Sequence, residues 1–141
     1  MSTFATAETL NLLKVRHAPK DRRGDLVQVK ALPSVALSHL KMLLDITDAQ
    51  LAELIGVPPR SYHRHKGSGE ALKPAQADSA LRIARVVREA IRVFDDTGKA
   101  LRWIKAPNPI LGAAPLELIG SDAGSQAVQD ELMRIHWGDL A

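Results

Sequence analysis

The chain has 141 residues, 45% hydrophobic and 25% charged, no cysteine, and a formal charge of +3. This length suits one domain or two small lobes, and the composition excludes wholesale disorder, a disulfide framework, a thiolate zinc site and a thiol nucleophile. With two Trp, two Phe and one Tyr, a sheet that stacks RNA bases on aromatic side chains is also excluded. No run of 18 apolar residues occurs, and the N-terminus lacks the basic–apolar–small order of a signal peptide, so a cytoplasmic protein off the membrane is expected. The basic excess is local. Residues 1–70 hold 10 basic and 7 acidic side chains, whereas 71–141 hold 9 of each.

In chain order, residues 1–33 form a segment expected to be partly flexible. Within it Ala5–Leu13 suits two helical turns sharing Leu10 and Leu13. Arg16–Asp25, with Pro19 and Gly24, reads as a loop. Leu26–Lys30 alternates weakly enough for a short strand. From Ser34, taken as an N-cap, the helical period is firm: Leu37, Leu40, Leu43 and Leu44 share a side. Thr47 with Gln50 makes a capping box for a short helix Asp48–Ile55, and Gly56 suits a left-handed turn after it. Pro59 opens the next helix, which runs to about Lys66 and stops at Gly67-Ser-Gly69. Pro74 starts a long helix to about Asp95, with Ala80, Ala84, Val87, Ile91 and Phe94 as its buried stripe and Thr97-Gly98 as its breaker.

The last third is a short helix Lys99–Lys105 with Leu101 and Ile104 inward, then a proline-bounded loop around Ile110 and Leu111. One turn follows at Leu116–Ile119. A final helix capped by Ser121 or Asp122 reaches about Trp137, using Val128, Leu132 and Ile135, and Gly138 can end it. The expected architecture is all-α, with a helix–turn–helix domain over 34–97 and a small helical domain over 98–141.

Two short helices about a glycine turn have the geometry that places a second helix in the DNA major groove. Leu51 and Ile55 supply apolar positions of the first helix, Val57 follows the turn, and Tyr62 anchors the second helix. Ala52 sits at the crossing, where only a small side chain permits close approach. These positions resemble the helix–turn–helix of Xre/Cro-type repressors, with His65 departing from the aliphatic residue usual there. No acid falls between Glu53 and Glu70, while Arg60, His63, Arg64, His65 and Lys66 do. Arg60, Ser61, His63, Arg64 and Lys66 are therefore the candidate DNA contacts, arginine suited to guanine and lysine or serine to phosphate. The plainer alternative is a solvated, packing-only helix.

Other patterns weigh less. Arg82, Arg85, Arg88 and Arg92 form one stripe of the long helix, read as a solvated face with Arg85–Glu89 and Arg92–Asp96 pairs. His63 and His65 point apart on a helix, and His17, His39 and His136 are isolated, so no metal site is expected. No phosphate loop, nucleophile elbow or carboxylate pair occurs. Neither a cofactor nor an enzyme is expected.

The stretch from Leu40 onward resembles the Xre/MbcA/ParS antitoxins, partners of RES-domain toxins. The residues that carry the likeness are Leu51-Ala-Glu-Leu-Ile-Gly-Val57, Arg60-Ser-Tyr-His-Arg64 and Ala84-Arg85-Val86. Further on come Trp103-Ile-Lys-Ala-Pro-Asn-Pro109, Leu111-Gly112, Pro115-Leu116-Glu117-Leu118, Glu131-Leu132 and Ile135-His136-Trp137-Gly138. The family's Ser-Asp-Arg triplet is replaced by Ala77-Asp78-Ser79. The resemblance implies a homodimeric antitoxin that blocks the NAD-degrading or ADP-ribosylating site of a RES-domain toxin and represses its own operator. The candidate toxin contacts are Arg134, Trp137, Gly138, Asp139, Leu140 and Ala141. Trp137 and Leu140 stand out because a solvated terminal helix normally ends in polar residues. The alternative for Trp137 is packing on Trp103 or Ile135. Rival functions are a stand-alone dimeric transcription regulator and a non-enzymatic protein scaffold.

Overall fold

A computed structural model describes residues 3–15, 26–29, 31–66 and 69–138. The chain divides into two compact units, Met1–Ala84 and Arg85–Ala141, with the division falling inside one long helix. The all-α expectation is met, with one small addition. Strand β1 (Thr3–Thr6) pairs antiparallel with β2 (Leu26–Val29), Thr3 opposite Val29 and Thr6 opposite Leu26. The strand expected at Leu26 thus exists, but its partner was not legible. The first helix consequently starts later than Ala5: α1 spans Ala7–Leu12, and the Thr6 side chain accepts from the Thr9 amide. Leu10 and Leu13 are both buried, as their spacing predicts.

The first unit continues with α2 (Val35–Leu44), α3 (Asp48–Ile55), α4 (Pro59–His65) and the start of α5 (Pro74–Phe94). Leu10, Leu13, Leu32, Leu40, Leu44, Leu51 and Ile83 are its largest fully buried side chains. Removing such branched side chains from water supplies about 1.5–3 kcal/mol each before entropy is counted. Ser34 does not cap α2 through its hydroxyl. It is itself in a helical conformation, and its buried amide donates to the Glu70 carbonyl at 3.1 Å. With Leu72 N donating to Leu32 O at 2.8 Å, that bond ties the segment after α4 to the entrance of α2. Leu43 is only half-buried, on the shoulder of the stripe.

The second unit holds the end of α5, then α6 (Thr97–Lys105), α7 (Pro115–Leu118) and α8 (Asp122–Gly138). Its core is Val86, Val87, Ala90, Ala100, Ile104, Ile119, Val128 and Leu132. The stripe of α5 is broader and rotated relative to the expected one. Ala77, Ala80, Leu81, Ile83, Ala84, Val86, Val87 and Ala90 are buried, whereas Ile91 and Phe94 are half-buried. Phe94 instead lies against Trp103, ring centroids 5.6 Å apart.

Thr97-Gly98 does not end α5. Asp95 does, in a left-handed conformation (φ 53°), and Asp96 then caps α6 by accepting from Lys99 N at 2.8 Å. Helix α6 therefore begins at Thr97, with Gly98 inside it, Ala100 and Ile104 buried and Leu101 half-buried. In the following loop Asn108 Oδ1 accepts from the amides of Ile110 and Leu111. Gly112, at φ 79°, closes the turn by donating to the Asn108 carbonyl at 2.9 Å. Ser121 caps α8, its Oγ 3.0 Å from Gly124 N. No helix among the described residues is long and apolar enough to cross a membrane.

Candidate functional site

The helix–turn–helix is assembled by local rules that the structure satisfies one by one. Thr47 and Gln50 cap α3 reciprocally, the Gln50 amide to Thr47 Oγ1 at 3.1 Å and the Thr47 amide to Gln50 Oε1 at 2.9 Å. Gly56 takes φ 71°, which costs a residue with a Cβ more than glycine. Pro59 is in the first turn of α4, where its missing N–H removes no helical bond. Leu51, Ala52, Ile55, Val57 and Tyr62 are all buried, with Ala52 1% exposed at the expected crossing. A larger side chain there would force the helices apart.

Helix α4 presents the expected polar side chains. Arg60, His63, Arg64 and Lys66 are exposed and Ser61 is half-buried. Arg64 donates weakly to Ser61 Oγ at 3.4 Å, and the His63 ring stands edge-on to Tyr62. The side chain of His65 lies outside the described residues.

Lys66 has an acidic neighbour that sequence distance hides. Its Nζ is 2.9 Å from Asp48 Oδ2, while Asp48 Oδ1 takes Lys41 Nζ at 3.0 Å and the Tyr62 hydroxyl at 3.0 Å. One carboxylate on α3 thereby gathers α2, α4 and the residue that ends α4. Lys66, then Lys41, holds this carboxyl far below its ordinary 3.8, against the opposing effect of burial. Because the folded value is the lower one, this contribution to stability is present above the ordinary value and is lost as acid protonates Asp48. Burial first, then the bond to Asp48, pushes the Tyr62 phenol up to about 12, so it remains a donor at neutral pH.

In the second unit, α8 carries the other candidate residues. Trp137 is 58% exposed on the last turn and touches only its neighbour His136 among described aromatic rings, centroids 5.1 Å apart. It does not fold back on Trp103, which pairs with Phe94. Met133, four residues earlier on the same face, is 46% exposed. Arg134 is already engaged by Glu131, through Nε to Oε2 at 2.9 Å and a terminal nitrogen to Oε1 at 2.6 Å. That fork keeps the 5%-exposed Glu131 ionised, its pKa lowered by Arg134. Gly138 ends the described helix. Asp139, Leu140 and Ala141 lie outside the described residues, as does His17.

The arginine stripe of α5 pairs differently from the i,i+4 expectation: Glu89 takes Arg88 at 2.7 Å and Arg92 at 3.6 Å. His39 donates from Nδ1 to the Leu13 carbonyl at 2.7 Å, a structural bond between α2 and the end of α1. Among the described residues no three His, Asp or Glu side chains gather as a metal ion would require.

A capped helix, a left-handed glycine, a small residue at the crossing and a basic second helix define a helix–turn–helix protein with a separate helical unit after it. Two family models match in that order: the antitoxin Xre-like helix-turn-helix domain over residues 25–85, and the antitoxin Xre/MbcA/ParS C-terminal toxin-binding domain over residues 89–138. The chain belongs to the Xre/MbcA/ParS antitoxins. The protein named Antitoxin Xre from Pseudomonas putida is 26% identical over 83 residues, 58% of this chain and 52% of that protein. The aligned stretch thus spans about half the length of this relative.

Proposed function

We propose that this antitoxin neutralises a RES-domain toxin by seating the end of α8 and the tail after it in the toxin's nucleotide site. The observation that carries the reading is Trp137, a large ring held more than half exposed at the end of the matched toxin-binding domain. Such a side chain offers rigid apolar area together with an N–H donor, the combination enriched in interface hot spots. Met133 extends the apolar strip one turn back. Arg134, Gly138, Asp139, Leu140 and Ala141 complete the proposed contact, with the unused donors of Arg134 facing the partner. The reaction that is blocked consumes NAD or transfers ADP-ribose, and it belongs to the toxin; the antitoxin is neither an enzyme nor a cofactor binder. Co-expression with a RES-domain toxin from the adjacent reading frame tests this: growth should be restored and the two chains should co-purify. Continued growth arrest with both chains present would overturn it.

The same protein, acting as a cytoplasmic homodimer, represses its own operon through α4. Arg60, Ser61, His63, Arg64 and Lys66 form the proposed DNA contact, and two-fold symmetry places two copies of α4 about one helical turn apart on DNA. Replacing Arg60, Arg64 and Lys66 together by alanine is expected to abolish operator binding at physiological salt. The slope of log affinity against log salt should shrink by about one for each side chain that met a phosphate. Fluorescence anisotropy over a salt series measures both, and an unchanged slope would remove α4 from the interface.

A further inference from the structure

Asp48 lies outside the acid-free stretch between Glu53 and Glu70 in sequence, yet it meets that stretch in space. It lies at the start of α3, yet its two oxygens meet Lys41 of α2, Tyr62 of α4 and Lys66 just beyond α4. A carboxylate with two ammonium groups at 2.9–3.0 Å occupies donors that would otherwise suit a phosphate oxygen. Lys66 keeps 45% of its side chain exposed, so the lysine that Asp48 holds is accessible from solvent. The Tyr62 hydroxyl bond to Oδ1 fixes the carboxylate against α4, making the pairing with Lys66 part of the folded framework.

We infer that Asp48 is a specificity-determining residue: it stands in for a phosphate on Lys66 and so restrains sequence-independent attraction to DNA. This rests on the reading that α4 binds DNA. A phosphate that recruits Lys66 must compete with Asp48, so in the native protein that lysine meets its phosphate with less counterion release than an unpaired lysine would. Base-directed contacts by Arg60 and Arg64 are left to carry a larger share of the affinity. Without the Asp48 charge, Lys66 becomes an ordinary phosphate contact that any duplex satisfies.

The test uses the full chain and a labelled duplex of arbitrary sequence about two helical turns long, with anisotropy measured between about 0.05 M and 0.2 M salt. Asp48→Asn is nearly isosteric and keeps an oxygen for Tyr62 while removing the charge. Its log affinity against log salt is expected to steepen by about one, with several-fold tighter binding to the arbitrary duplex at low salt. Adding Lys66→Gln should remove that gain, and it should lower the slope far more in the Asp48→Asn background than in the native chain. A merely structural role would move the melting temperature but not this cycle.

An unchanged slope in Asp48→Asn, or a steeper one that Lys66→Gln does not reverse, overturns the inference and leaves the DNA reading standing. Binding to arbitrary duplex by Asp48→Asn but not by the native chain supports it. If neither protein binds any duplex, operator sequence included, the DNA reading fails and the inference fails with it. Should Asn not fold, Asp48→Ser, which also retains an oxygen, takes its place. If neither variant folds, Asp48 is a packing residue and the inference falls.

Discussion

Replacing Trp137 by alanine is expected to weaken toxin binding by at least about 2 kcal/mol, roughly 30-fold, without lowering the melting temperature. The two halves of that expectation have separate physical sources. The ring is 58% exposed, so the folded chain loses little buried area when it is removed. A partner that closed over it would lose a full indole contact and the hydrogen bond of its N–H. Titration calorimetry gives the first quantity and a thermal melt the second. A melting temperature that falls while affinity holds would instead place Trp137 in the fold.

The opposite pattern is expected at Gly124. A Cβ built there falls inside the Leu118 carbonyl group, 2.7 Å from its carbon, and 2.9 Å from Ser121 Oγ. The carbonyl belongs to the backbone at the end of α7 and cannot swing aside as a flexible side chain would. Gly124→Ala must therefore push the first turn of α8 away from α7 and break the Ser121 cap that closes it. The expected cost is about 1–3 kcal/mol, a large part of the roughly 5–15 kcal/mol that holds a domain together. A thermal melt should show a drop of at least about 4 °C. Because α8 carries the proposed toxin surface, neutralisation should fall in proportion to the loss of folded protein. An alanine variant that melts like the native chain would mean that α7 and α8 do not approach this closely.

These two positions differ in how visible they are from sequence alone, and the difference is one of range. The helix–turn–helix was legible almost residue by residue because its signals are local: Thr47 and Gln50 three apart, Gly56 at a turn, Pro59 at a helix start. Trp137 was conspicuous as well, since a large indole on the last turn of a helix calls for either a packing site or a partner. Nothing local in the sequence marks Gly124, because the atom that excludes a Cβ belongs to a different element. Asp48 was missed as part of the basic surface for the same reason. It lies 18 residues from Lys66, outside the acid-free stretch that was read as unopposed. Asp95 shows a subtler failure. Thr97-Gly98 is the more conspicuous breaker, but an aspartate in the left-handed region followed by a second that caps the next helix does the work two residues earlier. Glu131 reads as a surface residue on any helical plot; it is buried because Arg134 folds over it in a bidentate pair.

On the proposed function, this chain silences a toxin by occupying its nucleotide site. The most direct measurement is NAD turnover by a RES-domain toxin that co-purifies with this chain, titrated with the full antitoxin chain at fixed toxin concentration. Turnover is predicted to fall linearly to zero at a fixed molar ratio, and excess NAD should slow the onset of inhibition by competing for the site. Turnover that persists with the antitoxin in excess, while the two proteins demonstrably form a complex, would contradict occlusion of the site.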